Sequence, residues 1–415
     1  MSRLISILAA GSRGDIQPCV ALGRGLAARG EKVRVVAPAR YEPLVTTAGL
    51  EFAGLTVDPA EILNSPDGQE LLAGGRNPVK FVRNLKQIVG PQVDRLMTET
   101  LDACRDADLL LGPTIGYAGE HLGESLGIPH ALIHFQPSQP TGAFPHPLVP
   151  GRLRIGPAGN RLTFLAVDQV TWQFVRPFVN PWRVRDLGLN RLPLRGPMHR
   201  VRRAQRPVLC CFSESVVPRP ADWPSYVRVT GYWFLDAEAD WTPPRDLAEF
   251  LAAGEPPVYV GFGSMVPADP ARALETVRSA LRKAGRRGLI SGLGPVEGDD
   301  LMAVADVPHA WLFPRTSAVV HHGGAGTTAA ALRAGVPTVI CPFFGDQPYW
   351  GERVAALGAG PALLPIRRLT ADGLAAALTA TESPAMRSIA ARLGREISAE
   401  DGVARACEVI AKIQH

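Results

Sequence analysis

No stretch of this sequence approaches the roughly 18 consecutive apolar residues that a membrane-spanning helix needs, so any membrane contact is expected to be peripheral. The six cysteines, Cys19, Cys104, Cys210, Cys211, Cys341 and Cys407, have no metal-ligand spacing. The adjacent pair Cys210–Cys211 suits neither a zinc site nor an easy disulfide, and metal is not expected. Buried free thiols fit a reducing, cytoplasmic setting. The opening run "LISILAA" lacks a charged n-region and runs into a glycine-bearing turn, so no secretory leader is expected. Aromatic residues make up 7% of the chain and do not interleave with basic ones, which argues against a nucleic-acid partner. Acid is absent from "RVRRAQR", residues 200–206, in a chain of net charge +5. That segment reads as a solvated face or as a contact with an anionic partner such as a membrane surface. Oligomeric state is not readable.

What is present is a globular composition, 46% apolar and 20% charged over 415 residues. That length exceeds one compact core and points to two domains. The chain opens strand–turn–helix–strand, as "LISILAAG", "DIQPCVALGRGLAARG" and "KVRVVAP". Its strands are continuous apolar runs, the mark of a parallel sheet buried on both faces. The pattern recurs at "ADLLLGP" and "HALIHFQP", giving a doubly wound α/β domain. Residues 138–206 break the rhythm with Pro, Arg and aromatics, and the piece "LTFLAVDQVTWQFVRPFVNPW" reads as helical up to Pro177. Irregular insertions at this edge of a parallel sheet commonly touch substrate. An acidic, proline-bearing segment at 235–246 is the best linker. A second α/β series follows, from "PPVYVGFGSM" to "PTVICPFF", and two amphipathic helices close the chain. The domains are set at 1–225, 226–383 and 384–415.

The segment "AVVHHGGAGTTAAALRAGVPTVICPFFGDQP", residues 318–348, carries the most chemistry. A buried strand ends at His321 and His322, and a helix begins after a small-residue turn. Unpaired N–H groups and the positive dipole end collect there, forming an anion site. Gly324 and Gly326 allow close approach, and Thr327 and Thr328 add hydroxyls. No lysine follows the glycines and no G-x-G-x-x-G spacing appears, so neither a P-loop nor a dinucleotide fold is indicated. Asp346 and Gln347 stand at the same rim after the next strand. An acid and an amide side by side can accept from and donate to vicinal sugar hydroxyls, although Asp346 also suits a helix cap.

"HHGGAGTT…PFFGDQP" resembles the nucleotide-sugar signature of family-one inverting glycosyltransferases with the GT-B fold, two Rossmann-like domains facing across a cleft. "GSRGDIQPCVALGRGLAARG" resembles the branch holding sterol glucosyltransferases and the glycopeptide-antibiotic glycosyltransferases of actinomycetes. The resemblance implies a donor diphosphate held by His322, Gly324, Gly326, Thr327 and Thr328, with Ser12 and Gly14 opposite. It implies a hexose held by Asp346 and Gln347, and a nucleoside flanked by Ser264, Val307 and His309. Asp306 stands where plant members place a stacking Trp. The co-substrate would be a UDP- or TDP-sugar with no cofactor and no metal, and the acceptor a lipophilic aglycone near Phe135, Phe144 and Trp172. The last helix would cross back to the first domain.

Asp15 can be read two ways. It suits an N-cap of the first helix, and the resemblance makes it the base that deprotonates the acceptor hydroxyl. A sugar-nucleotide epimerase and a non-catalytic nucleotide-sugar-binding helper are the competing functions. The aromatic-rich region 135–182 disfavours the first, and the presence of both base and phosphate residues disfavours the second.

Overall fold

The computed structural model describes residues 2–9, 11–58, 78–113, 117–149, 155–236, 241–296 and 298–413. The apolar runs form two parallel sheets. The first contains β1 (Leu4–Leu8), β2 (Lys32–Pro38), β3 (Glu51–Leu55), β4 (Leu109–Pro113), β5 (His130–His134), β6 (Val208–Cys210) and β7 (Val227–Val229). Their spatial order is β3-β2-β1-β4-β5-β6-β7. The second contains β8 (Val258–Gly261), β9 (Gly288–Ser291), β10 (Leu301–Ala303), β11 (Ala318–His321) and β12 (Thr338–Ile340), in the order β10-β9-β8-β11-β12. In each sheet the order reverses beside a central strand. Helices that start at the strands' C-terminal ends therefore splay apart there and leave a crevice. Helix α1 (Arg13–Ala27) opens on that edge of the first sheet.

Two expectations are corrected. The first domain does not stop at residue 225, because Val227–Val229 pairs in parallel with Val208–Cys210 as the edge strand of its sheet. The helix expected to end at Pro177 is α2 (Gly156–Arg185), which continues through Pro177 and Pro181. A proline inside a helix costs about 3 kcal/mol, and tertiary packing offsets it. Phe178, Val179 and Trp182 are buried, Asn180 exchanges two hydrogen bonds with Leu192, and Arg183 Nε donates to Asn190 O at 2.9 Å. The "RVRRAQR" segment is partly neutralised. Arg200 pairs with Glu124 and Arg202 with Asp168, while Arg203 stays exposed.

Four more helices complete the frame of the site: α3 (Ala325–Arg333), α4 (Gln347–Leu357), α5 (Pro384–Ser398) and α6 (Gly402–Ile410). α5 lies at the junction of the two domains, where Ala390, Leu393 and Ile397 share one cluster with Ala329, Leu332 and Trp350 of the second and with Phe212 and Val216 of the first. α6 crosses back. Ala406, Cys407 and Ile410 join the core built on Ile5, Ile16 and Val20, and Arg3 Nη1 donates to Ile413 O at 2.8 Å. The seat for α6 is Gly25, where a Cβ would come within 2.2 Å of Val403 Cγ1. Replacing Gly25 by Leu overpacks this junction and is expected to cost about 1–3 kcal/mol, read as a lowered urea midpoint. An unchanged midpoint would show that α6 is not held there.

Candidate active site

The second domain builds its half of the crevice from a turn that only glycine can make. After β11, Gly323 adopts φ +90°, and a Cβ on it would lie 2.7 Å from Ile340 Cγ2 and 3.0 Å from Gln347 O. The turn is thereby pressed against the start of α4. Gly324 then caps α3 in an extended conformation. The first helical hydrogen bond runs from Thr328 N to Gly324 O, so the N–H groups of Ala325, Gly326 and Thr327 have no intrahelical acceptor and point outward at the positive dipole end.

His322 stands beside that helix start. A Cβ on Gly324 would lie 2.4 Å from its Nε2, and one on Gly263 would lie 3.0 Å from its Cε1, so the ring is held between two glycines. Burial pushes its pKa down to about 4, which keeps the imidazole neutral at pH 7. Its Nδ1 is buried with no partner among the described residues. The two threonines differ from expectation. Thr328 is fully buried and its hydroxyl donates to Gly324 O at 2.9 Å, whereas Thr327 is half-buried and its hydroxyl has no partner among the described residues.

At the rim of β12, Asp346 precedes α4, and its Oδ2 accepts from Trp350 Nε1 at 2.8 Å. Burial, with a smaller contribution from the Asp15 charge and against the Trp350 bond, raises its carboxyl to about 6. Gln347 Oε1 accepts from Phe343 N at 2.8 Å and Phe344 N at 3.2 Å. Its carbonyl oxygen therefore braces the loop, and its amino group remains as the donor. Ser264 is exposed next to Gly263, and Val307 is half-buried. The His309 ring stacks on Phe313 with centroids 4.2 Å apart, and burial lowers its pKa to about 4.

The first domain faces this half with α1. Asp15 is not the N-cap, as the sequence suggested. Ser12 is the cap, and Asp15 is the third helical residue of a capping box. Asp15 Oδ2 accepts from both Ser12 N at 2.8 Å and Ser12 Oγ at 3.0 Å. The Ser12 hydroxyl is thus engaged, and Asp15 Oδ1 accepts no hydrogen bond among the described residues. Gly11, at φ +134°, is required here, since a Cβ would sit 2.4 Å from Asp15 Oδ2. Burial raises the Asp15 carboxyl above its ordinary value, opposed by the two Ser12 bonds. Across the crevice, a Cβ on Gly326 would lie 3.6 Å from Gly14 Cα. The N-termini of α1 and α3 therefore meet, and Arg13 pairs with Asp306 beside them.

The aromatic residues separate. Phe135 packs half-buried on the first core. Phe144 lies between Phe164, 6.4 Å away, and Tyr349 of α4, 6.1 Å away, so it bridges the domains near Asp346. Trp172 does not line an open wall. It is 1% exposed, its Nε1 donates to Pro193 O at 2.9 Å, and its ring meets Tyr117 edge-on. Sequence reasoning missed Gly263, Tyr349, Trp350 and Arg13. The four-residue spacing of Asp346 and Trp350 on a helix start could have revealed one of them; the Arg13–Asp306 pairing left no local signal.

Two doubly wound domains with opposed helix N-termini define the GT-B class of fold. The glycosyltransferase of kitacinnamycin superposes with a TM-score of 0.72 at 20% identity, covering 99% of both chains. A Streptomyces glycosyltransferase complexed with thymidine diphosphate gives 0.64 at 21% identity, covering 99% of this chain and 100% of that one. Residues 5–145 match the glycosyltransferase family 28 N-terminal domain, and residues 291–413 match the erythromycin biosynthesis protein CIII-like C-terminal domain. Among curated proteins, the sterol 3-beta-glucosyltransferase of Emericella nidulans is 39% identical over 98% of this chain, and that of Cryptococcus neoformans is 38% identical over 98%. The chain spans only 30% and 27% of those two relatives' lengths. The chain therefore has the GT-B fold and carries in tandem the two glycosyltransferase-related domain types that these models describe.

Gly324 has an ordinary backbone conformation, so Gly324→Ala is expected to fold but to displace the His322 ring. Affinity for uridine or thymidine diphosphate should then fall at least about tenfold, or about 1.4 kcal/mol, in calorimetric titration. Unchanged affinity would remove this turn from the anion site.

Proposed function

We propose that the enzyme transfers a hexose, glucose in the first instance, from a UDP- or TDP-sugar to a hydroxyl of a lipophilic acceptor, with inversion and without a metal. The observation that carries the reading is the Asp15 carboxylate, pinned through one oxygen with the other uncommitted, opposite a helix start. Two similarities support the substrates. The curated relatives named for sterol glucosylation share 39% identity across 98% of this chain, and a structural neighbour holds thymidine diphosphate. A sterol-like acceptor is preferred to an antibiotic aglycone because the antibiotic enzymes are only about 20% identical.

In this mechanism the donor diphosphate sits on the N–H groups of Ala325, Gly326 and Thr327, with His322 beside it. The acceptor oxygen attacks the anomeric carbon from the first-domain side. Its proton passes to Asp15 Oδ1 as the new C–O bond forms. The anomeric C–O bond to phosphate breaks on the opposite face, and the diphosphate departs with its electron pair. Fixed dipoles at α3 offset the charge that develops there, since they need no reorganisation during the reaction. Asp346 accepts from sugar hydroxyls and the Gln347 amino group donates to one. The raised Asp15 carboxyl brings a weak base closer to working range, and the concerted step asks for basicity only as the bond forms.

Asp15→Asn preserves shape and removes the base. Turnover is expected to drop about 10²–10⁴-fold while UDP affinity stays within about threefold; wild-type-like turnover would overturn the assignment. Both carboxylates act ionised, and burial pushes the Asp346 carboxyl up to about 6. kcat/KM for the donor should therefore be flat above that pH and fall as pH drops through it. A profile flat down to about pH 4, the ordinary carboxylate value, would contradict the roles given to the pair.

A further inference from the structure

α2 is apolar on both sides. Its inner face buries Phe164, Trp172, Phe178 and Trp182. Its outer face presents Leu162, Leu165 and Val170, exposed by 62%, 49% and 71%. A surface helix normally turns charged or polar residues to water, and an apolar outer stripe marks a face that meets something else. The segment Pro193–Gly196 runs along the same helix, because Gln169 and Gln173 both donate to Leu194 O and Trp172 Nε1 donates to Pro193 O. That places Leu194, 62% exposed, beside the stripe.

Charge identifies the partner. Residues 155–206 hold ten arginines, two aspartates and no lysine or glutamate, in a chain whose net charge is only +5. The rest of the molecule is therefore net acidic, and the excess positive charge lies in the segment that holds the apolar stripe. Some of it is neutralised locally, through Arg183 and Arg200 on Glu124 and Arg202 on Asp168. Arg191, Arg195 and Arg203 are exposed and make no ion pair among the described residues. Apolar side chains flanked by unpaired arginines, Arg191 and Arg195 on either side of Leu194, fit the headgroup layer of an anionic bilayer, where the former insert and the latter meet lipid phosphates. No helix among the described residues is long and apolar enough to cross a membrane.

We propose that the outer face of α2, with Leu194, Arg191 and Arg195, docks the enzyme on an anionic lipid surface. The inner face of α2 reaches the crevice through Phe164, which touches Phe144, which touches Tyr349 of α4. Docking there brings the crevice to the bilayer, so a membrane-dissolved acceptor enters without crossing bulk water. The acceptor-delivery role rests on the proposed function; the docking itself does not.

The test is vesicle co-sedimentation of the purified chain, with calorimetric UDP titration alongside. Wild type should sediment with phosphatidylcholine–phosphatidylglycerol vesicles in about a 7:3 ratio and not with phosphatidylcholine alone. Leu162→Glu/Val170→Glu and Arg191→Glu/Arg195→Glu should each weaken partitioning at least about tenfold and leave UDP affinity unchanged. All four positions are exposed, so the variants retain the core. Wild type failing to sediment with anionic vesicles, or either double variant partitioning like wild type, would overturn the proposal. So would a concentration-dependent dimer abolished by Leu162→Glu/Val170→Glu in the absence of vesicle binding, since the face would then serve self-association. Loss of UDP binding by wild type would instead sink the proposed function and leave docking standing.

Discussion

Both hydrogen bonds from Ser12 fall on the same oxygen of Asp15. That asymmetry is the constraint on which the site depends. A carboxylate held through both oxygens would be a plain helix cap, and one held through neither would have no fixed direction. Anchored through Oδ2 it keeps its place at the first turn of α1 and leaves Oδ1 without a hydrogen bond among the described residues. Capping and aiming are then one interaction. The glycine at position 11 completes it, since any side chain there would collide with the anchored oxygen.

The opposite wall follows the same logic with the charge reversed. α3 presents backbone donors at its start, and α1 presents a carboxylate at its own. Two helix N-termini brought this close would expose two positive dipole ends to one crevice. An anionic ligand beside them would relieve that, and the close approach of Gly14 to Gly326 brings both ends to the same place. The neighbouring carboxylates interact unfavourably, which is why Asp15 contributes to raising Asp346. Sugar hydroxyls placed between the two acids would serve both as donors and separate their charges. The Arg13–Asp306 pair spans the same gap, but as an exposed pair it adds little to holding the two halves together.

Much of this was legible in the residue order, for identifiable reasons. Continuous apolar runs such as "LLLGP" announced parallel strands, and glycines beside histidines announced a strand-to-helix turn. The crossing back of the last helix came from family resemblance, and its seat on Gly25 needed coordinates. What escaped had non-local causes. Pro177 argued for a helix end, yet Asn180 and Arg183 tie the continuing helix to a segment up to twelve residues further on. Trp172 looked available because composition does not report facing, and only the Pro193 carbonyl and Tyr117 show it to be core. Thr327 and Thr328 are indistinguishable in sequence, while helix phase sends one hydroxyl outward and the other back to Gly324.

Transfer with Asp15 as base requires one displacement, with the base on the face of the sugar opposite the departing diphosphate. The anomeric configuration of the product tests this most directly. Proton NMR of the glycoside formed from an α-linked UDP- or TDP-glucose should show the β-anomer from the first turnover onward. An α-linked product would mean retention, and neither the in-line geometry nor the role of Asp15 as base would survive it.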